Sequence, residues 1–128
     1  MRRKPLVLIV DEDPYLAGIY GRRLEMEKCQ VRVAESITEA KKKLAKTVPD
    51  AIMVDVAVEG EQGFALVHEL RHDPKTAVVP LIVITALGDR KSVERGLASG
   101  ADSYLIKGHF VPTEAAKKVV RLIAEHRK

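Results

Sequence analysis

The chain has 128 residues, 22 Lys and Arg against 18 Asp and Glu, and a formal net charge of +4. That length fits one domain spanning 1–128 with a real apolar core, and no apolar run approaches the roughly 20 residues of a membrane span. The single Cys29 excludes an internal disulfide framework and fits a reducing compartment, so a cytoplasmic location is expected.

The amino terminus, MRRKPLVLIVDED, is too short in its apolar part for a signal peptide and ends in acids where small residues are needed. Aromatics are scarce and Trp is absent, which leaves Val, Ile, Leu and Ala to build the core. Basic residues gather near the two ends: Arg2, Arg3 and Lys4, then Lys117, Lys118, Arg121, Arg127 and Lys128. No helix-turn-helix pair, zinc spacing or aromatic ribonucleoprotein motif accompanies them. They read as solvated surface, and direct nucleic-acid binding is not expected.

PLVLIV (5–10) reads as a buried strand that stops at three acids, Asp11, Glu12 and Asp13. Asp13 can cap a helix with Pro14 at its first position, and Leu16, Ile19, Tyr20 and Leu24 give that helix an apolar face. A short strand is predicted over Gln30–Ala34. Ser36 with Glu39 forms a capping box for a second helix, with Ile37, Ala40 and Leu44 inward. Pro49 and Asp50 break it, and AIMV (51–54) is the third strand, ending at Asp55.

A loop with Gly60 and Gly63 then leads into a helix carrying Phe64, Val67 and Leu70, which His72-Asp73-Pro74 ends. VPLIVIT (79–85) is the fourth strand. Gly88 and Asp89 turn the chain into a fourth helix with Val93 and Leu97, closed by Gly100. SYLI (103–106) is the fifth strand and ends at Lys107. A fifth helix from about Thr113 shows Ala116, Val119, Val120 and Ile123 at helical spacing.

Five strands and five helices in strict alternation predict an α/β fold with a parallel sheet and helices on both faces. In such sheets the site lies beyond the carboxyl ends of the strands, at a topological switch point. Those ends carry Asp11 and Glu12, Asp55, Thr85 and Lys107. If the first and third strands are neighbours, three carboxylates converge. They need a counter-charge, which Lys107 and a hard divalent cation can supply. Oxygen-only ligands suit Mg²⁺, and no Cys/His set for zinc is present.

With these residues in place, the sequence resembles the receiver domains of two-component response regulators, of which the chemotaxis receiver is the best-known member. LIVDEDP, MVDVAVEGEQGFALVHELR, VPLIVITAL and GLASGADSYLIK carry the resemblance over almost the whole chain. It implies a flavodoxin-like, doubly wound five-stranded parallel sheet in the order 2-1-3-4-5. It implies that Asp55 is the phosphoacceptor for a histidine kinase or histidine phosphotransfer protein. Mg²⁺ would be held by Asp11, Glu12, Asp55 and the backbone carbonyl of Ala57. Thr85 and Lys107 would contact phosphoryl oxygens. Thr85 and Tyr104 would form the switch that alters the face of the fourth helix, fifth strand and fifth helix, where an output domain, a downstream protein or a second copy binds. Enzymatic activity would be confined to self-phosphorylation and autodephosphorylation.

Four positions depart from the family pattern. Glu12 stands where Asp is usual, Glu59 where Pro is usual, Gln62 where Asp is common, and Gly108 where Pro is usual. The Gly108 turn is expected to leave the strand-five and helix-five region more mobile. Two other readings compete. LIVDEDP also resembles the opening of haloacid-dehalogenase-type phosphatases, which would make Asp11 the nucleophile. A phosphorylation-independent interaction module on the same fold is the other, since fold does not fix function.

Overall fold

The computed structural model of the chain describes residues 3–126. Arg2, Arg127 and Lys128 of the basic ends lie outside the described residues. The elements follow in the order β1 (Leu6–Val10), α1 (Pro14–Met26), β2 (Gln30–Ala34), α2 (Ile37–Lys46), β3 (Ala51–Val54), α3 (Val58–Glu61), α4 (Gly63–His72), β4 (Leu81–Thr85), α5 (Arg90–Ser99), β5 (Ser103–Ile106) and α6 (Pro112–His126). The five expected helices are α1, α2, α4, α5 and α6. α3 is an additional single turn, with Glu59 and Gly60 in left-handed conformation.

All five strands are parallel, in the order β2-β1-β3-β4-β5. Strand residues alternate between two cores because successive side chains point to opposite faces. Val7, Ile9, Ala51, Met53, Ile82 and Ile84 pack under α1 and α6 with Leu24, Val119 and Ile123. Leu8, Val10, Ile52, Val54, Leu81 and Val83 face the other side, with Phe64, Val67 and Leu70 of α4. Both faces are covered, which explains the unbroken apolar runs in the sequence.

Local chemistry sets the element ends. Asp13 accepts from the Tyr15 and Leu16 N–H groups at 2.9 and 3.4 Å and caps α1. Ser36 caps α2 by accepting from the Glu39 N–H at 3.0 Å, but the reciprocal Glu39 contact goes one residue upstream, to the Glu35 N–H at 3.2 Å. Asp89 caps α5, and Gly100 closes it at φ 119°.

Two expectations shift. The fourth strand begins at Leu81, two residues later than expected. Pro80 has no N–H for a ladder and contributes only its carbonyl, which accepts from Ile52. On α5, Leu97 is 48% exposed and Gly96 is buried in its stead. A Cβ at Gly96 would stand 2.6 Å from two ring carbons of Tyr104, so the helix presents its smallest residue to that ring.

The chain reverses direction of travel across the sheet after β2. It returns past β1 to lay β3 on the other side, with Val10 level with Val54. The carboxyl ends of β1 and β3 are therefore adjacent at the switch point.

Candidate functional site

Asp11 and Asp55 each follow the last residue of their strand, and backbone pairing continues into them. The Asp11 N–H donates to Ala34 O at 3.0 Å and the Asp55 N–H to Val10 O at 2.8 Å. Lys107 is fixed the same way, its N–H donating to Thr85 O at 2.8 Å. Three side chains from three strand ends are thus placed by the sheet itself, on its most rigid part.

The Lys107 ammonium lies 2.9 Å from Asp11 Oδ2 and 2.9 Å from Asp55 Oδ2. Its side chain is only 14% exposed, against 3% for Asp11 and 13% for Asp55. Burial alone would lower the Lys107 pKa. The hydrogen bonds and charges of Asp55 and Asp11 outweigh it, and the pKa stands above the usual lysine value. The remaining Asp55 oxygen, Oδ1, accepts from the Thr85 hydroxyl at 2.7 Å and the Ala57 N–H at 2.9 Å. Asp11 Oδ1 accepts from the Asp13 N–H at 2.9 Å. Every oxygen of the Asp11 and Asp55 carboxylates has a donor, as charge held largely out of water requires.

Glu12 does not join this cluster. Its exposed carboxylate accepts from the backbone N–H of Glu59 in the loop after β3. Among the described residues, no three His, Cys, Asp or Glu side chains gather as a metal-holding group. The expectation that three carboxylates converge is met by two. The longer Glu12 side chain finds a backbone donor in the neighbouring loop. The donor chemistry nonetheless fits a hard cation, with the Asp11 and Asp55 carboxylates on adjacent strand ends and, among the described residues, no His or Cys grouped with them. The Ala57 carbonyl accepts from the Glu61 N–H at 3.2 Å and retains a second lone pair.

Tyr104 lies on β5, level with Val83 of β4. Its hydroxyl donates to Leu87 O at 2.7 Å, in the loop that leaves β4. Burial first, then the negative charges of Asp89, Asp55 and Glu61, push its pKa up to about 12. Thr85 is fully buried, and its hydroxyl oxygen also accepts weakly from the Leu87 N–H at 3.4 Å. A chain of contacts therefore runs from Asp55 through Thr85 and Leu87 to Tyr104.

Sequence reasoning places Gly63 only in the loop before a helix and gives Gly96 no role, yet both shape the site. A Cβ on Gly63 would come within 2.5 Å of the Val56 Cα and 2.7 Å of the Asp55 carbonyl oxygen, so α4 can start against the Asp55 backbone only there. Gly96 makes the equivalent room for Tyr104. Neither position has a pattern that a single sequence can reveal. Helical spacing places Tyr20 only on the apolar face of α1. Burial first, then the carboxylates of Asp11 and Asp55 working against Lys107, raises its pKa, which places it in the electrostatic field of the cluster.

A doubly wound parallel sheet with acids, a hydroxyl and a lysine at its switch point defines a flavodoxin-like α/β domain with a charged site. The family model of the response regulator receiver domain matches residues 7–119, and the chain belongs to that family. It is 35% identical over 103 residues to the DNA-binding dual master transcriptional regulator RpaA of Synechocystis sp., covering 80% of this chain and 43% of the relative. It is 32% identical over 113 residues to the phosphate regulon transcriptional regulatory protein PhoB of Rhizobium meliloti, covering 88% of this chain and 50% of the relative. The chain thus spans about half or less of these curated relatives.

Among solved structures, a response regulator from Chloroflexus aurantiacus superposes with a TM-score of 0.87 at 34% identity, covering 94% of this chain and 98% of the other. The signal receiver domain of a signal transduction histidine kinase from Syntrophus aciditrophicus gives 0.85 at 31%, covering 94% and 91%. Family membership sets aside the haloacid-dehalogenase reading of Asp11. Residues 7–119 of the chain form a receiver domain of the two-component response regulator family.

Proposed function

We propose that Asp55 accepts a phosphoryl group from a phosphohistidine on a histidine kinase or phosphotransfer protein. The observation that carries this is the geometry at Asp55. An ammonium, a hydroxyl and a backbone N–H all lie within 2.9 Å of its carboxylate oxygens. These donors are held before any reaction takes place. Phosphoryl transfer needs positioning and charge neutralisation more than covalent assistance.

In the reaction, one Asp55 carboxylate oxygen attacks phosphorus, the bond from phosphorus to the histidine nitrogen breaks, and the nitrogen takes the electron pair. Lys107 and the Thr85 hydroxyl, now bonded to the nucleophile, are placed to turn to the phosphoryl oxygens. Asp11, Asp55, Glu12 and the Ala57 carbonyl are the residues that would hold Mg²⁺, which would supply charge neutralisation at the phosphoryl oxygens. No external substrate is turned over beyond the domain's own phosphorylation and dephosphorylation.

The switch follows from the contact chain. A phosphoryl group on Asp55 draws the Thr85 hydroxyl away from the carboxylate, changes what Leu87 N–H meets, and so alters the loop carbonyl that holds Tyr104. That loop feeds α5, and Tyr104 lies on β5, so the α5–β5–α6 face carries the change to an output domain, a downstream protein or a second copy. Among the described residues, no helix is long and apolar enough to cross a membrane.

The test is intact mass after incubation with Mg²⁺ and acetyl phosphate, beside Asp55→Asn and Asp11→Asn. One phosphoryl adduct that requires Mg²⁺ and vanishes in Asp55→Asn is expected. A folded wild type that gains no adduct and ignores beryllofluoride would instead mark a phosphorylation-independent interaction module.

A further inference from the structure

Two loops beside the cluster are stitched together by contacts that the transfer chemistry does not use. The Glu59 N–H donates to the Glu12 carboxylate. The Glu59 carboxylate in turn accepts from the Ile37 N–H at 2.6 Å. Ile37 is the first residue of α2, so its N–H is one of the amides that the helix leaves unsatisfied, and a negative charge is favoured there. One residue therefore links the β1–α1 loop to the start of α2. Its backbone is held in the left-handed region, φ 48°, followed by Gly60 at 68° and Glu61 at 72°. Such a conformation is costly for a non-glycine residue and persists where contacts fix it. Glu61 adds one, 3.6 Å from the Arg95 guanidinium of α5.

Glu12 is the acid that the site lacks. Asp11 and Asp55 meet at Lys107, while Glu12 is engaged by the loop. The geometry points to a latch in which a divalent cation and the Glu59 N–H compete for the Glu12 carboxylate. This rests on the proposed oxygen site of the phosphoacceptor reading. Glu59 is then a positioning residue. Its N–H sets how readily Glu12 reaches the cation, and its carboxylate passes cation occupancy to α2. The cleft of about 380 Å³ between α2 and α4, lined by Ile37, Glu59, Gln62 and Glu69, changes shape as the site fills.

Proline cannot take the φ of 48° held at Glu59, so the N–H is tested through its acceptor instead. Glu12→Asp keeps the charge but is one methylene shorter and unable to hold the Glu59 N–H in the same way. Glu59→Gly keeps the N–H and the left-handed backbone and removes only the carboxylate that meets Ile37. The measurement is Mg²⁺ titration of ¹⁵N-labelled protein by NMR, with folding checked by circular dichroism. Mg²⁺ should bind Glu12→Asp about tenfold more tightly than wild type, the order expected for losing a competing hydrogen bond to a carboxylate. In wild type the Glu59 and Ile37 amides should shift together with those of Asp11 and Asp55. In Glu59→Gly the Ile37 response should vanish while that of residue 59 persists. Equal affinity in Glu12→Asp and wild type, or Ile37 and Glu59 amides that stay still in wild type while Asp11 and Asp55 respond, would overturn the latch and leave the phosphoacceptor reading standing. No Mg²⁺ binding by wild type or by either variant would overturn both.

Discussion

Tyr104 shows how much a single residue's setting depends on its neighbour. Its ring lies against Gly96 with no room for one more carbon, and its hydroxyl reaches Leu87 O. A methyl at Gly96 must displace either the ring or α5. Gly96→Ala is therefore expected to destabilise the domain by about 1–3 kcal/mol, the range for overpacking a well-filled site. Urea denaturation of Gly96→Ala, Tyr104→Ala and the double variant measures it. The cost of the alanine should largely disappear once the ring is gone, because residues in contact couple strongly. Full additivity of the two substitutions would show that the close approach carries no energy. Lys107 makes the parallel point in charge. One ammonium is shared by two carboxylates, so any chemistry at Asp55 is also felt at Asp11.

At the scale of elements, most of the architecture was legible because each strand and helix announced its own ends. β2, β3 and β5 fall where their apolar runs predict, and Asp13, Ser36, Asp89 and Gly100 cap where they stand. The carboxyl-end residues were legible too, since a polar residue closing a buried run is placed by its strand alone. What stayed hidden depends on three dimensions. The α3 turn has no apolar period to betray it. The diversion of Glu12 needs a loop from 47 residues away. Periodicity points Leu97 inward because it does not say that Gly96 is needed by Tyr104. The β5–α6 connection offers a prediction of its own. Gly108 sits at φ 91°, a Cβ there would meet nothing within 4 Å, and the turn around it is largely exposed. Few buried contacts hold it, so its amides should exchange sooner than those of β1 and β3. Hydrogen exchange followed by NMR would decide, and protection at residues 108–111 equal to the central strands would refute the idea.

Over the whole molecule, charge of both signs gathers at the two ends of the strands, with Asp50 and Arg3 paired at 3.0 Å at the amino ends and Lys107 with Asp11 and Asp55 at the carboxyl ends. The acids, Thr85 and Lys107 occupy the carboxyl ends, while a cleft of about 500 Å³ near the opposite ends of β1 and β2 is lined by Arg3, Arg32, Lys43 and Lys46. Global stability should carry the mark of the carboxyl-end pole at alkaline pH. Tyr104 has its pKa raised by burial first and by nearby acids second, to about 12, from an unfolded value near 10. The folded state holds that proton more tightly than the unfolded chain does. Below about pH 10 both states are protonated and the stabilisation is complete; between about 10 and 12 only the unfolded state releases the proton, and the stabilisation drains away. Lys107, also raised, acts in the same direction, its contribution present below the ordinary lysine value and lost as pH climbs through the folded one. Unfolding midpoints should therefore fall steeply across that window. Tyr104→Phe separates the two groups. Near neutral pH it should be less stable by about 1 kcal/mol, having lost the hydrogen bond to Leu87 O. As pH rises through the window its curve should fall less steeply than wild type, and the two should converge. Parallel curves from neutral pH to about pH 12 would mean that Tyr104 ionises as freely in the fold as out of it, and that the Tyr104 hydroxyl feels neither its burial nor the acids of Asp89, Asp55 and Glu61.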